Sequence, residues 1–466
     1  MSMEAGLPVE RPKPGIIHLG LGAFFRAHGA AYVARAMEVS GGDWGIIGVS
    51  LQSPGTRDAL APQGFAYTAV EQGPEGETPR RLTVLQDVLV APEDPQAVLE
   101  AMADPGIRIV SLTVTEKGYC HNPATGALNP DHPDIRHDLS HALPRSAPGY
   151  LVRALQLRRN RGLAPFTAMT CDNLPQNGRV LRGVVLELAR RIDPDLADWI
   201  GALGRFPSTM VDRIVPATKP EDIARLAAMG ITDAAPVMHE PFGQWVIEDD
   251  FVSGERPDLA AAGAELVTDV TAYEHMKLRM LNGTHSTLAY LGYLAGHETI
   301  ADCAADPVFA AFVKALWRRE IIPALTPPPG VDLTDYADQL FARYSNPAIR
   351  HRTWQIAMDG SQKLPQRILS TWAENHAVGR QSPGLTLAIA GWMHYISGKG
   401  VDGQPIDVRD PMAAELAARA PDGPAALLAL PAIFPESVAK DLAAPVTAAH
   451  ARLATHGVRA SLEDLT

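Results

Sequence analysis

The chain has 466 residues, 46% of them hydrophobic and 20% charged, with a formal net charge of −12. That length is enough for roughly two or three domains around a large buried core. The acidic balance excludes a general nucleic-acid binder, which needs clustered positive charge; it leaves room for a local basic pocket that takes a small anion. Cys120, Cys171 and Cys303 are odd in number and widely spaced. They suit neither a disulfide framework nor a structural zinc site. The N-terminal MSMEAGLPVERPKPG lacks an apolar signal core, and no uninterrupted apolar run of about 18 residues follows. The reading is a cytoplasmic chain with no membrane partner and no metal.

Residues 1–14 read as a loose tail. Ile16 to Leu19 is an apolar run ending at Gly20, as in a buried strand entering a tight turn. Ala27, Ala30, Ala34 and Met37 recur at helical spacing over 23–39, and Gly41-Gly42 stops that helix. GIIGVSL, over 45–51, is the second strand. Strand, helix and strand make one βαβ unit, whose handedness favours a parallel sheet. Segment 64–90 reads as a β-rich insertion or edge structure. Strands over 107–115 and 166–171 and helices over 150–161 and 178–192 continue the alternation. The stretch 118–148, rich in His, Pro, Asn and Asp, reads as a long loop, more often a cover over a site than filler. Beyond about 270, helix signals dominate, over 273–295, 307–322, 333–344, 365–374, 384–395 and 412–462. The expected organisation is a dinucleotide-type α/β domain with insertions over 1–270 and a mostly helical domain over 271–466.

Four segments carry candidate chemistry. At Gly20-Leu21-Gly22 the backbone is able to pass close to a pyrophosphate, and the following helix points its N-terminal amides at that anion. Leu19, Gly20, Leu21, Gly22, Ala23, Phe24, Phe25 and Arg26 are the candidate contacts, with Phe25 where a third glycine is usual. No acid follows the second strand at the place that recognises an NAD ribose, and Arg57 could meet a 2′-phosphate, so NAD and NADP both stay open.

The second segment is Lys277 to His285. At about 100° per residue, Glu274, Lys277, Asn282 and His285 share one arc of a helix. A lysine moves a proton, an asparagine hydrogen-bonds an oxyanion and a histidine orients a hydroxyl, which suits alcohol–ketone interconversion. Met280, Leu281, Leu288 and Leu291 make this helix largely apolar, so desolvation would bring Lys277 toward the working pH range. The third segment, Cys171-Asp172-Asn173-Leu174-Pro175-Gln176-Asn177-Gly178, follows an apolar strand. It therefore lies at the carboxyl end of the sheet, where open α/β folds bind ligands. Asn173 suits a carbonyl gaining negative charge; Asp172 and Asn177 read as turn and cap formers. The fourth is the basic set Arg350, Arg352, Lys363 and Arg367, with Lys117. It is either solvated charge or a clamp for an anionic substrate group.

These segments resemble the long-chain polyol-specific (mannitol) dehydrogenase family. The matching stretches are HLGLGAFFRAH, LTVTEKGY, CDNLPQNG, MVDRIVPAT, EPFGQWVIEDDF, KLRMLNGTHS and RYSNPAIRHRTWQIAMDGSQKLPQR. VTEKGYC and RTWQIAMDGSQKLPQR are most similar to its fructuronate reductase branch. The resemblance implies a Rossmann-type domain, a helical substrate-binding and catalytic domain, and metal-independent hydride transfer with NAD(H) in hexuronate catabolism. It implies Lys277 as general acid/base, Asn173 and Asn282 as oxyanion donors, His285 as substrate-orienting group, and Glu274 as a gate for proton exchange. Thr115 and Glu116 join the cofactor contacts; Lys363, with Arg352 or Arg367, contacts substrate. The implied partner is a small sugar acid or polyol, on a monomer or small homo-oligomer. A mannitol or arabinitol 2-dehydrogenase acting on neutral ketoses is the alternative reading. A nucleotide sensor without activity is a third, which the intact KxxxxNxxH set opposes.

Overall fold

The computed structural model describes residues 11–122, 125–400 and 403–466; most of the expected N-terminal tail lies outside the described residues. The chain divides into two compact units, the first ending at Thr271 and the second Ala272–Thr466.

The strands of the first unit are β1 (Pro14–Leu19), β2 (Gly45–Ser50), β3 (Tyr67–Gly73), β4 (Gly76–Leu82), β5 (Leu85–Val90), β6 (Ile109–Leu112), β7 (Thr167–Thr170), β8 (Thr209–Asp212), β9 (Val237–His239), β10 (Gln244–Glu248) and β11 (Glu265–Val267). Five form one sheet in the order β5-β2-β1-β6-β7, and every neighbouring pair is parallel. Numbered by their order in this sheet they read 3-2-1-4-5, a Rossmann-type arrangement whose strand order reverses between β1 and β6.

Alternate residues feed opposite faces, as the two-residue period of a strand requires. Ile17, Leu19, Val110, Leu112 and Ala168 pack into one apolar core, while Ile16, Ile46, Ile109 and Met169 pack into the other. Both faces are covered, so the strands read as continuous apolar runs. The expected insertion over 64–90 divides differently. β3 and β4 form an antiparallel hairpin joined by β9, whereas β5 is a full member of the parallel sheet. β5 is an edge strand with only half of its residues buried, hence its non-core pattern. β8, β10 and β11 make a third sheet for which short polar-flanked strands leave little sequence signal.

Two helical expectations change. The helix over 23–39 is broken at His28 (φ −116°, ψ −83°) into Ala23–Ala27 and Gly29–Ser40. The loop over 118–148 contains the helix Pro133–Ser140, which the His132 side chain caps at the Asp134 N–H and whose first residue is proline, a preferred start.

Every regular element described in the second unit is a helix. Pro383–Tyr395 is buried almost all round and packs against Thr284–Leu294 and the long C-terminal helix Glu436–Glu463. That last helix contains Pro445 and kinks at Gly457 (φ 75°). Among the described residues no helix is long and apolar enough to cross a membrane.

Candidate active site

β2 folds the turn that leaves β1. Gly20 N and Leu21 N donate to the Val49 carbonyl at 2.9 and 3.3 Å, and Gly22 N donates to the Gly20 carbonyl at 2.7 Å. Gly20 has φ +87°, and a Cβ there would meet the Thr113 carbonyl oxygen at 2.2 Å; only glycine fits. Gly22 is exposed, and its Cβ would come no nearer than 3.8 Å to any neighbour. The helix behind it starts with no side-chain cap. Together these leave main-chain amides open to the close approach of an anion, as a dinucleotide pyrophosphate requires.

The missing third glycine has a structural explanation. The Phe25 ring stacks on buried His18 with centroids 3.3 Å apart, and Gly29 makes room for it, since a Cβ there would lie 2.5 Å from that ring. His18 Nε2 and Nδ1 lie 2.8 Å from Thr113 Oγ1 and 2.8 Å from Ser111 Oγ, and Thr113 Oγ1 donates to the Gly20 carbonyl at 2.8 Å. The single hydroxyl proton of Thr113 is thereby used, so Nε2–H donates to Thr113 and Nδ1 accepts from Ser111. Burial holds the imidazole well below its ordinary pKa, hence neutral. A buried ring thus braces the turn from beneath.

Of the other candidates here, Leu19 and Leu21 are buried, and Ala23 and Phe24 are half-buried. The Arg26 guanidinium turns inward, donating to the Ala235 carbonyl at 2.5 Å and lying over the Tyr67 ring, so only its backbone remains for a coenzyme. Gly20→Ala is expected to weaken dinucleotide binding at least tenfold and to lower the melting temperature. A side chain in that backbone region costs about 1–3 kcal/mol before any clash. Coenzyme titration checks it, and an unchanged affinity removes this turn from the site.

Across the switch point, β6 ends in Thr113-Val114-Thr115. Asp172, just after β7, accepts from Val114 N at 3.0 Å, Thr115 N at 2.9 Å and Tyr119 Oη at 2.8 Å. Thr115, Glu116 and Asn173 are exposed at this carboxyl edge. Arg57, near the end of β2, pairs with Asp58 at 2.8 Å and with Glu93, so its charge is already balanced. Cys120, His132 and Asp134 bring possible ligand atoms within 4.8 Å of one another. His132 Nδ1 accepts from Asp134 N, and burial with the Asp134 and Asp138 charges pushes the Cys120 thiol up to about 12. His132 is thereby the cap of the helix Pro133–Ser140.

In the second unit the expected helix over 273–295 changes its winding. Thr271–Met276 and Thr284–Leu294 are α-helical, but Lys277–Gly283 is a π-turn. Its i→i+5 pattern brings Asn282 round closer to Lys277 than an α-helix would. Lys277 is only 8% exposed, and Glu274 and Asn282 are half-buried. A second π-turn, Pro365–Leu369, packs against the first; a Cβ on Gly283 would lie 2.7 Å from the Arg367 carbonyl oxygen. Arg367 Nη1 donates to Ser286 Oγ at 3.2 Å, next to His285. Lys363 Nζ donates to the Met358 and Ile356 carbonyls at 2.5 and 3.2 Å. Arg352 is exposed and faces Glu298 at 3.6 Å, so it does not join this group.

Sequence reasoning passed over three members. The ring of His285 lies 4.7 Å from Tyr344 and 5.0 Å from His351. Burial, then the charges of His351, Arg343 and Arg367, hold His285 well below its ordinary pKa. Burial and Lys363 lower His351 to about 4, and its Nδ1 has no hydrogen-bond partner among the described residues. Arg343 and His351 stand in RYSNPAIRHR, where the run of basic residues was visible but not which of them turn inward.

Both imidazoles are therefore neutral at pH 7. Below about 6.5 the unfolded chain protonates His351 first, so stability should fall as the pH drops toward about 4. The full effect is about 3 kcal/mol at about 1.4 kcal/mol per pKa unit. Denaturant unfolding at pH 7.5 and 5.5 should show a shallower loss in His351→Asn than in the parent; equal slopes reject it.

A parallel sheet of this order, a glycine turn built for a dinucleotide and a lysine–asparagine–histidine set on one helix define a Rossmann-type oxidoreductase. Two family models cover the chain, the mannitol dehydrogenase Rossmann domain over residues 14–261 and the mannitol dehydrogenase C-terminal domain over 269–454. The chain belongs to the mannitol dehydrogenase family of oxidoreductases. It is 46% identical to a D-mannonate oxidoreductase of Escherichia coli (strain K12), over 98% of each chain. It is 42% identical to a mannitol 2-dehydrogenase of Phaeosphaeria nodorum, over 93% of this chain and 77% of that one. Among solved structures it is similar to Pseudomonas fluorescens mannitol 2-dehydrogenase in a ternary complex with NAD and D-mannitol. The TM-score is 0.86 at 38% identity, covering 97% of this chain and 94% of that one.

Proposed function

We propose that this enzyme reduces the ketone of D-fructuronate to D-mannonate with NADH, reversibly and without a metal. The observation that carries the choice of a keto-acid is the charge around His285. Arg367 donates to Ser286 Oγ at 3.2 Å, beside His285, and Arg343 adjoins Tyr344, whose ring lies 4.7 Å from that of His285; after burial, these charges and that of Lys363 help hold the two rings below their ordinary pKa. Three cations grouped about two neutral imidazoles suit a carboxylate-bearing sugar. A neutral ketose gains little from them. The name of the Escherichia coli relative agrees with this reading.

The residues take the following roles. The turn at Gly20–Gly22 holds the pyrophosphate, with Thr115 and Glu116 as further coenzyme contacts. Arg57 is already paired with Asp58 and Glu93 rather than free for a 2′-phosphate, which supports NAD over NADP. When bound, the nicotinamide supplies the hydride. Lys277, as an ammonium, gives its proton to the oxygen that becomes the alcohol. Asn282, on the same π-turn, is the donor to that oxygen as charge builds on it, and Asn173 keeps the oxyanion role that the family resemblance implies; one such donor contributes on the order of 2.7–4 kcal/mol in a well-studied protease. Neutral His285 and His351 orient sugar hydroxyls, and Glu274 passes protons to solvent.

The alternative, a 2-dehydrogenase of neutral polyols such as mannitol or arabinitol, is favoured by the names of several relatives. One assay separates the two. Oxidation of NADH and NADPH is followed at the nicotinamide absorbance with fructuronate, other keto-uronates, fructose and xylulose. Fructuronate with NADH is expected to give the highest kcat/KM. A neutral ketose turned over faster would reject the keto-acid reading, and no turnover on the whole panel would reject the enzyme reading.

A further inference from the structure

We propose that Asp172 is a positioning residue whose carboxylate holds the turn after β6 in a strained shape, so that Thr115 and Glu116 are presented to the coenzyme and Asn173 is fixed relative to them. The inference rests on the dinucleotide reading of this domain. Its first support is backbone geometry. Thr115 has φ 63° and ψ 166°, a region occupied almost only by glycine and least suited to a β-branched residue. Such a conformation persists only where surrounding contacts over-determine it.

Asp172 supplies those contacts. Val114 N donates to one of its oxygens and Thr115 N to the other. Tyr119, buried at 1% exposure, adds its hydroxyl. The three donors bracket the strained residue on both sides. Asp172 is itself anchored, because Asn177 Nδ2 donates 2.9 Å bonds to the Asp172 and Thr209 carbonyls while Asn177 Oδ1 accepts from Thr209 N at 2.9 Å. The brace thus runs from β8 through Asn177 to the ends of β7 and β6.

The chemistry demands a carboxylate. Each of the two oxygens takes a different backbone N–H, and an isosteric amide would turn its own NH₂ against one of them. Burial pushes this carboxyl above its ordinary pKa, and the three donated hydrogen bonds oppose that shift. A group that served only as a turn former would need one such bond. Exposed Thr115 and Asn173, the coenzyme contact and the oxyanion donor, lie at the two ends of this network, so Asp172 acts on the reaction through them.

A double-mutant cycle tests it, with Asp172→Asn, Thr115→Gly and the double variant, each measured for NADH binding, for kcat and KM of both substrates, and for melting temperature. Asp172→Asn should lower kcat/KM for NADH on the order of a hundredfold, the effect of a misplacement of about an ångström, with the KM for the sugar little changed. Thr115→Gly should raise the melting temperature, because glycine accepts that conformation without strain. In the Thr115→Gly background the Asp172→Asn loss should shrink to under about tenfold, since no strain then needs holding. Additive losses across the cycle, or equal rises in both KM values with a collapsed melting temperature, would overturn the proposal. Tyr119→Phe, which removes one anchor, should lose only several-fold and serves if Asp172→Asn does not fold; a Tyr119→Phe enzyme with unaltered kinetics would also overturn it. A parent chain that binds no dinucleotide rejects the functional reading itself, and the presenting role falls with it. The melting-temperature cycle then still decides whether Asp172 holds a strained turn.

Discussion

Lys277→Ala is expected to lose kcat by about two to four orders of magnitude, the usual contribution of a positioned general acid, while NADH binding is unchanged. Lys277 opens the π-turn Lys277–Gly283 and is 8% exposed, so bulk water is a poor substitute proton donor there. Stopped-flow reduction with saturating coenzyme separates the loss of rate from coenzyme binding. A melting-temperature measurement alongside separates the loss of rate from any loss of stability. A variant with parental kcat would reject Lys277 as the acid, and one that fails to bind NADH would point to misfolding instead. Lys277→Arg should be nearly as slow, because a guanidinium stays protonated at any working pH.

Arg367→Leu is expected to reverse substrate preference. Fructuronate should lose about 2–5 kcal/mol of transition-state binding, the cost of removing one partner of a desolvated charge pair. At about 1.4 kcal/mol per tenfold that is roughly one and a half to three and a half orders of magnitude in kcat/KM. Fructose, with no carboxylate, should be affected little. Arg367 is the strongest single candidate because its guanidinium is held at Ser286, 3.2 Å away, the residue next to His285. Arg343→Leu and Lys363→Met form the comparison set, since Lys363 is partly spent on two backbone carbonyls. Equal losses on fructuronate and fructose would make Arg367 a structural residue and return the carboxylate to one of the other two cations.

Legibility in the sequence followed the range of the interactions involved. The strand–glycine turn–helix start was readable because GxG, apolar runs and helical spacing are local features. The parallel strands read easily where both faces are buried and poorly at the edge, as with β5 and the short strands β8 to β11. Phe25 in place of a third glycine looked like a weakened motif. In the fold it stacks on His18 in the space that Gly29 leaves, a compensation four residues along the chain. The KxxxxNxxH spacing was legible as chemistry but not as geometry. An α-helical wheel separates Lys277 from Asn282 by about 140° at about 100° per residue; the π-turn narrows that angle. The π-turn packs against a second one at Pro365–Leu369, a neighbour more than eighty residues away that a local sequence pattern does not display.

From its own residues the chain determined an α/β half and a helical half, a glycine turn leaving the first strand, and a lysine, an asparagine and a histidine of types suited to moving a proton. Each of these depends on periodicity or on the chemistry of one side chain, and both are written locally. Tertiary structure alone decided which cations turn inward. Arg367 reaches Ser286 beside His285 and Lys363 caps the Met358 and Ile356 carbonyls, while Arg352, which looked equivalent, faces Glu298. It also decided that Asp172, a turn former by its sequence, spans two strands with both oxygens. The physical reason is common to both cases: a side chain's charge and hydrogen-bonding capacity are properties of its type, but its partners and its desolvation are set by residues tens to hundreds of positions away.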